Sequence, residues 1–165
     1  MRGTMARGAS SGCGGVGHGG TSVRPMATIF TRIIDGELPG RFVWRDERCV
    51  AFLSINPIRR GHTLVVPRAE VDHWLDLDPA TAAHLTTVAQ IIGVAQQQAF
   101  NPRRVGLIIA GFEVPHTHLH VIPIDDMGGL DFANAAATVD PGELDAAAGA
   151  IRAALQRAGH SAVAG

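Results

Sequence analysis

The 165-residue chain is 46% hydrophobic and 18% charged with a formal net charge of −1, a balance typical of one globular domain. All 14 of its basic residues are arginine, and it contains no tyrosine. These absences exclude a Schiff-base lysine, a P-loop lysine and a tyrosine nucleophile from its chemistry.

Residues 1–25 differ in composition from the rest of the chain. The stretch 11-SGCGGVGHGG-20 is glycine-rich, and the leader carries three arginines and no acidic residue. It lacks the apolar segment that a secretory signal needs. We interpret it as a flexible leader or a start-site artefact with Met26 as the true beginning, and residues 26–165 as one domain.

Apolar and alternating segments predict a short helix and three strands in the first half of this domain. The segment 29-IFTRII-34 favours the helix. Two strands follow, 42-FVWR-45 and 49-CVAFLSI-55, and the short charged turn between them predicts a hairpin. The β-branched residues of 62-HTLVVP-67 predict the third strand.

Residues 78–100 carry the strongest helical pattern. Asp78 is a natural N-cap and Pro79 is suited to the first helical position. Apolar residues recur at three- and four-residue spacing and predict one buried stripe, made of Leu85, Val88, Ile92, Ala95 and Ala99.

The remaining segments complete an α+β fold. Residues 105-VGLIIA-110 predict a buried strand, and a five-residue connection to 116-HTHLHVIPI-124 predicts its antiparallel partner. Residues 125–139 predict a loop, and 140-DPGE-143 opens a C-terminal helix. We therefore expect an antiparallel sheet of about five strands, with a long central helix and the C-terminal helix on one face.

Charge, hydropathy and cysteine content limit the partners and the location. Without its arginine-bearing leader the chain is acidic, which argues against nucleic acid as a main partner. No stretch is long and apolar enough to predict a membrane span. Two distant cysteines, Cys13 and Cys49, indicate neither a disulfide framework nor a CxxC metal site. We expect a cytoplasmic protein.

Three histidines alternate in the last predicted strand. Every second side chain of a strand points to one face, so His116, His118 and His120 share a face at a spacing of roughly 7 Å. The outer two are then about 13 Å apart, too far to converge easily on one ion, although two of them could share a metal. The spacing suits an extended anion better.

The middle histidine is suited to attack phosphorus. A nucleophilic imidazole needs a free Nε2 lone pair, which requires its Nδ1–H to be held by an acceptor such as a backbone carbonyl. The neighbouring imidazoles can donate N–H bonds to phosphate oxygens. His118 is therefore the predicted nucleophile, and an incidental half-buried histidine row is the alternative.

The sequence resembles the histidine-triad (HIT) superfamily, in particular its Hint-like branch. The segment 116-HTHLHVI-122 is similar to the signature of three alternating histidines, with Thr117 in place of an apolar residue. Three similar segments, at residues 29–57, 61-GHTLVVPR-68 and 111-GFEVPHTHLHVIP-123, together span roughly residues 27–125. The resemblance implies a nucleotidyl hydrolase or transferase that forms a nucleotidyl-histidine intermediate and requires neither metal nor cofactor.

The resemblance also implies roles for the site residues. His118 becomes the nucleophile, His120 donates to the α-phosphate, and His116 supports the row. His62 lies beside it, with a packed strand histidine as the alternative. Ser54 stands where relatives bind ribose through Asp or Asn, and Glu113 stands near the leaving group. Apolar residues match a pocket for a purine base, although plain core packing is nearly as good an interpretation for them: Phe30, Ile33, Phe52 and Ile55.

Two departures from the family pattern bear on activity. Relatives carry an Asn or Gln and a loop before the glycine that matches Gly111, and often a Gln after it, whereas this chain has Ala110 and Phe112. Fewer polar groups near the phosphate predict slow turnover or an apolar leaving group. Zinc-bearing relatives have a CxxC where this chain has Thr28 and Thr31, so no structural zinc is expected.

Several functions stay open at this point. A nucleoside phosphoramidase is the first hypothesis, with dinucleoside polyphosphate hydrolysis as its runner-up. A purine-nucleotide-binding protein with little catalysis, and a metal-dependent enzyme that uses two of the histidines, are the alternatives from other classes. The resemblance further implies a homodimer.

Overall fold

Five strands form one antiparallel sheet in the computed structural model, which describes residues 27–165. The expectation for residues 1–25 lies outside that range. The strands are β1 (Phe42–Arg45), β2 (Cys49–Leu53), β3 (Thr63–Pro67), β4 (Arg104–Ile109) and β5 (Leu119–Ile124). Their order across the sheet is β1-β2-β3-β5-β4, and every pairing is antiparallel. The predicted α+β fold with a five-stranded sheet is confirmed.

Three helices accompany the sheet, and local capping sets where each begins. They are α1 (Ile29–Ile34), α2 (Pro79–Phe100) and α3 (Pro141–Arg157). Asp78 accepts from the backbone N–H of Thr81 at 2.9 Å, as an N-cap carboxylate should. Asp140 does the same for α3 through Gly142 at 2.8 Å. Within residues 27–165, no helix combines the length and the hydropathy that a membrane crossing requires.

The sheet is covered on both faces. Alternate residues of β2 point in opposite directions, so Cys49 and Ala51 pack with α2 and α3, whereas Val50 and Phe52 pack with Phe30 of α1. The long central helix and the C-terminal helix share one face as predicted, and α1 covers the other face. The physical reason is that β2 is apolar along its whole length, so its second face also has to be shielded from water.

Strand β4 lies at the edge of the sheet rather than inside it. Within residues 27–165 its only strand neighbour is β5, and Leu107 is 50% exposed. The prediction of a buried strand was wrong because an apolar run does not reveal which strand ends a sheet. The predicted loop 125–139 contains two 3-10 turns, Met127–Leu130 and Phe132–Asn134, which lie over the face shared with α1.

Candidate active site

The three alternating histidines lie on the α1 face of the sheet, around the start of β5. His116 ends a bend, His118 lies just before the strand, and His120 is the second residue of the strand. All three are buried, at 0%, 5% and 8% exposure. The ring centroids of His118 and His120 are 4.7 Å apart, and the Phe30 ring meets His116 and His118 edge-on at 6.0 and 5.0 Å. The structure therefore brings the three imidazoles together in one row.

His118 has the tautomer that a nucleophile needs. Its Nδ1 lies 2.7 Å from the carbonyl oxygen of His116, and because a carbonyl only accepts, Nδ1 carries the hydrogen. The Nε2 lone pair is then free. Burial lowers the pKa of His118, although the bond to His116 and the nearby Glu113 carboxylate act in the opposite direction. The ring is therefore neutral at pH 7, with a lone pair available for attack.

His62 and His120 are joined by a hydrogen bond, and we call this pair the relay. A backbone N–H donor determines which way the hydrogen bond runs. The N–H of Ile58 donates to His62 Nδ1 at 3.2 Å, so Nδ1 is unprotonated and Nε2 carries the hydrogen. His62 Nε2 lies 2.9 Å from His120 Nδ1, which therefore accepts. The hydrogen of His120 is left on Nε2, where it can donate to a ligand.

Burial keeps both relay histidines neutral. It lowers the pKa of His62 to about 4, with a smaller effect from His118. Burial likewise lowers the pKa of His120 to about 3, with His118 and His62 adding to the effect. A protonated His120 would lose the acceptor at Nδ1 and repel its neighbours, so the neutral state preserves the relay.

His116 is fixed by two hydrogen bonds. Its Nε2–H donates to the carbonyl of Pro67 at 2.8 Å, so Nδ1 accepts from the Thr28 hydroxyl at 2.9 Å. The hydroxyl of Thr31 donates to Glu70 beside it. The two hydroxyls are not usual zinc ligands, and both ring nitrogens of His116 are already taken up in hydrogen bonds, so this arrangement does not fit a zinc site. The network instead holds the His116 backbone, and hence the carbonyl that fixes the His118 tautomer.

A cavity of 630 Å³ opens beside the relay, within the size range of small-molecule sites. His118, His120 and His62 line it, and Ser54 lies on its wall with Glu113. The predicted pocket residues also line it, namely Phe30, Ile33, Phe52 and Ile55. Its apolar wall and its row of ring nitrogens can receive an aromatic base and an anion side by side.

Gly111 does not line this cavity. With φ at +85°, it lies on a smaller cavity of 320 Å³ that also touches His118. Phe112 and Trp74 also line this smaller cavity, and they are 96% and 43% exposed.

Sequence reasoning missed several residues of the larger cavity, and three of them make specific contacts. Phe132 meets the His120 ring edge-on at 4.9 Å and comes from the segment predicted as loop. Asn56 donates to the carbonyls of Ala136 and Ala137 and so ties that segment to the cavity. Arg41 also lines the cavity, but its Nε is paired with Oδ1 of the exposed Asp145 at 2.6 Å. Of these three residues, only Asn56 could have been suspected from the sequence, because it lies two positions after Ser54.

A second polar cluster lies on the other face of the sheet. Among the described residues, this is the only group of three or more whose potential metal-ligand atoms all lie within 4.8 Å of one another; it consists of Asp46, Cys49 and His84. Asp46 Oδ2 already accepts from His84 Nε2 at 2.8 Å and from Trp44 Nε1 at 2.7 Å. Burial raises the pKa of the Cys49 thiol, so it stays protonated. This cluster fixes the β1–β2 turn against α2.

Known proteins share this sequence pattern. The profile of the HIT domain matches residues 35–127. An uncharacterized HIT-like protein of Methanocaldococcus jannaschii is 36% identical over 99 residues, which is 58% of this chain and 77% of that protein. An adenylylsulfatase of Arabidopsis thaliana is 29% identical over 119 residues, 69% of this chain and 60% of its own length.

Solved structures share the fold. A zinc-bound histidine triad family protein from Mycobacterium smegmatis superposes with a TM-score of 0.70 at 29% identity, over 81% of this chain and 96% of that one. A hypothetical histidine triad nucleotide-binding protein from Sulfolobus tokodaii gives 0.67 at 26% identity, over 78% and 91%. With the profile match and the histidine row, these similarities establish that the chain belongs to the HIT domain family, which has a nucleotide-binding and hydrolase fold.

Proposed function

We propose that the protein is a nucleotidyl hydrolase or transferase that acts on a nucleoside monophosphate joined to a leaving group. The observation that carries this proposal is the pair of ring nitrogens at the 630 Å³ cavity. His118 offers a free Nε2 lone pair because Nδ1 is held by the carbonyl of His116. His120 offers an Nε2–H donor because Nδ1 accepts from His62. A nucleophile and a phosphate-oxygen donor thus stand side by side.

The reaction proceeds in two displacements at phosphorus. His118 Nε2 forms a bond to the α-phosphorus as the bond to the leaving group breaks, and the leaving group departs with the electron pair and takes up a proton. Water then attacks the same phosphorus, the P–Nε2 bond breaks, and the nucleoside monophosphate is released. His120 Nε2–H stabilises the charge on the phosphoryl oxygens in both steps. Such electrostatic stabilisation usually makes the largest single contribution to lowering the barrier of these reactions.

The cavity wall favours a purine nucleotide as the part of the substrate that is held. Phe30 and Phe52 are buried in an edge-to-face pair at 5.7 Å, and the exposed side chain of Ile55 lies across from them. Such a wall accepts a flat aromatic base. Ser54 Oγ accepts from the backbone of Asn56 at 3.3 Å and keeps its own hydrogen for one ribose hydroxyl.

The leaving group is the open part of this proposal. An amine is the first choice, since the exposed Glu113 carboxylate lines the cavity and can accept a hydrogen bond from an amine N–H, while the departing nitrogen takes its proton from water. Sulfate is the second, because a relative from Arabidopsis thaliana is an adenylylsulfatase. Dinucleoside polyphosphates come third. Binding of purine nucleotide with little turnover is the alternative, and the fully exposed Phe112 in place of a polar group near the phosphate favours it.

A purified-protein assay with three AMP conjugates tests this function. AMP joined to an amine, to sulfate and to a second nucleotide are supplied separately, and release of AMP is measured by chromatography. His118→Ala should abolish turnover but retain AMP binding, and mass spectrometry of the quenched wild-type reaction should find AMP on His118. Unchanged turnover in His118→Ala contradicts the assigned nucleophile. AMP binding without product from any conjugate favours the binding protein.

We also propose that two copies associate through the edge formed by β4 and α2. Strand β4 leaves its outer backbone groups unpaired in the sheet, and such edges commonly pair with another chain. Leu107 and Val94 are about half exposed beside a groove between α2 and β4. Light scattering should give twice the chain mass, and Leu107→Lys should shift it to the mass of one chain. A single-chain mass for the wild type refutes the dimer.

A further inference from the structure

Gln96 reaches the site from the opposite face of the sheet. It belongs to the buried stripe of α2 and has no exposed surface, whereas Gln97 and Gln98 beside it are exposed. Its Nε2 donates to the carbonyls of Gly61 at 2.9 Å and of Val121 at 3.0 Å. One side-chain amide therefore bonds to the backbone of two segments that are distant in sequence.

Those two segments carry the relay histidines. Gly61 immediately precedes His62, and Val121 immediately follows His120. Strands β3 and β5 pair at this point. The Gln96 amide therefore joins the two backbone segments directly behind the contact between His62 Nε2 and His120 Nδ1. A shift of either backbone segment would lengthen that 2.9 Å contact.

We infer that Gln96 is a positioning residue that sets the contact between His62 and His120 and thereby the direction of the His120 Nε2–H donor. The inference rests on the proposed function for its effect on turnover, but not for its effect on the two rings. Gln96 does not touch the cavity, so it acts only through the relay.

The unpaired end of the amide supports a role beyond packing. Gln96 Oε1 is the single buried side-chain nitrogen or oxygen between residues 27 and 165 that has no hydrogen-bond partner. Leaving such an acceptor unpaired is destabilising. The Gly61 carbonyl also accepts from the Thr63 hydroxyl at 2.8 Å, so it would not be orphaned without Gln96. Satisfying that carbonyl therefore does not by itself account for an amide in an apolar stripe.

The test compares Gln96→Met with Gln98→Met. Methionine keeps the length of the side chain and removes the donor, and Gln98 is an exposed glutamine of the same helix. Nitrogen-15 NMR of the histidine rings reports tautomers without any substrate. The wild type and Gln98→Met should show His120 as a single tautomer with the hydrogen on Nε2, and Gln96→Met should show mixed tautomers for His62 and His120.

Turnover gives the second readout. Gln96→Met should lower kcat about tenfold while KM changes little, since a displaced donor weakens the transition state more than substrate binding. In a His62→Ala background, Gln96→Met should have little further effect, because the relay is already broken. Additive losses, or unchanged ring signals in Gln96→Met, overturn the inference.

The outcomes separate this inference from the proposed function. If the wild type turns over none of the three AMP conjugates, the proposed function fails, but the ring signals still decide the role of Gln96. If Gln96→Met does not fold, Gln96→Leu, another apolar side chain without the donor, replaces it. Mixed tautomers in Gln96→Leu then support the inference, and wild-type signals overturn it.

Discussion

The neutral relay predicts that the fold loses stability as the pH falls from 7 to 5. The pKa of His62 is about 4 and that of His120 about 3 in the folded chain, against an ordinary value of 6.5. Between these values the unfolded chain binds protons that the folded chain does not, so the free energy of unfolding falls as the pH falls. Each histidine contributes about 2 kcal/mol over this interval and the pair about 4 kcal/mol.

Urea unfolding followed by circular dichroism at both pH values measures this loss. Hydrogen bonds lower the pKa values of three carboxyls, Asp46, Glu70 and Asp78, and these lose their effect mainly below this interval, so histidines dominate it. His120→Gln should reduce the difference between pH 7 and 5 by about 2 kcal/mol. The exposed His73→Gln is the control and should leave it unchanged. A wild type equally stable at both pH values would refute the neutral relay and the tautomers deduced from it.

Three further substitutions test particular contacts. Phe132→Ala removes the edge contact with His120 and should weaken AMP binding about three- to tenfold by calorimetry; unchanged affinity would show that the contact is incidental. Thr28→Val leaves the buried Nδ1 of His116 unpaired and should lower the free energy of unfolding by about 1–3 kcal/mol in urea, whereas no loss would contradict the assigned hydroxyl donor. Asp78→Ala removes the N-cap of α2 and should cost about 1 kcal/mol in thermal unfolding with turnover unchanged, and altered turnover would count against a purely structural cap.

The elements that follow from local chemistry were predictable. Asp78 and Asp140 predict the starts of α2 and α3, because an N-cap needs only a carboxylate and the next backbone N–H groups. The alternation of the histidines predicts their common side because an extended chain has a two-residue repeat, even though β5 begins only at Leu119. The cavity residues that flank the first two strands were likewise found from the sequence.

Features that depend on distant parts of the chain were not predictable. Whether the apolar β4 is central or an edge depends on which strand lies beside it. Phe132 approaches His120 from a segment without periodicity. Gln96 stands in a run of three glutamines that is typical of a solvated helix face, and only the tertiary structure shows that one of them is buried. The histidine tautomers likewise require the donor at Ile58.

That donor has a consequence for variation among related chains. The backbone N–H of Ile58 determines which ring nitrogens of His62 and His120 carry hydrogen. A substitution at position 58 that keeps this N–H therefore cannot reverse the two tautomers. Proline alone lacks the required hydrogen. Position 58 can thus exchange one apolar side chain for another that fits the cluster with Ile122 and Ile124, and the protons of His62 and His120 keep their places.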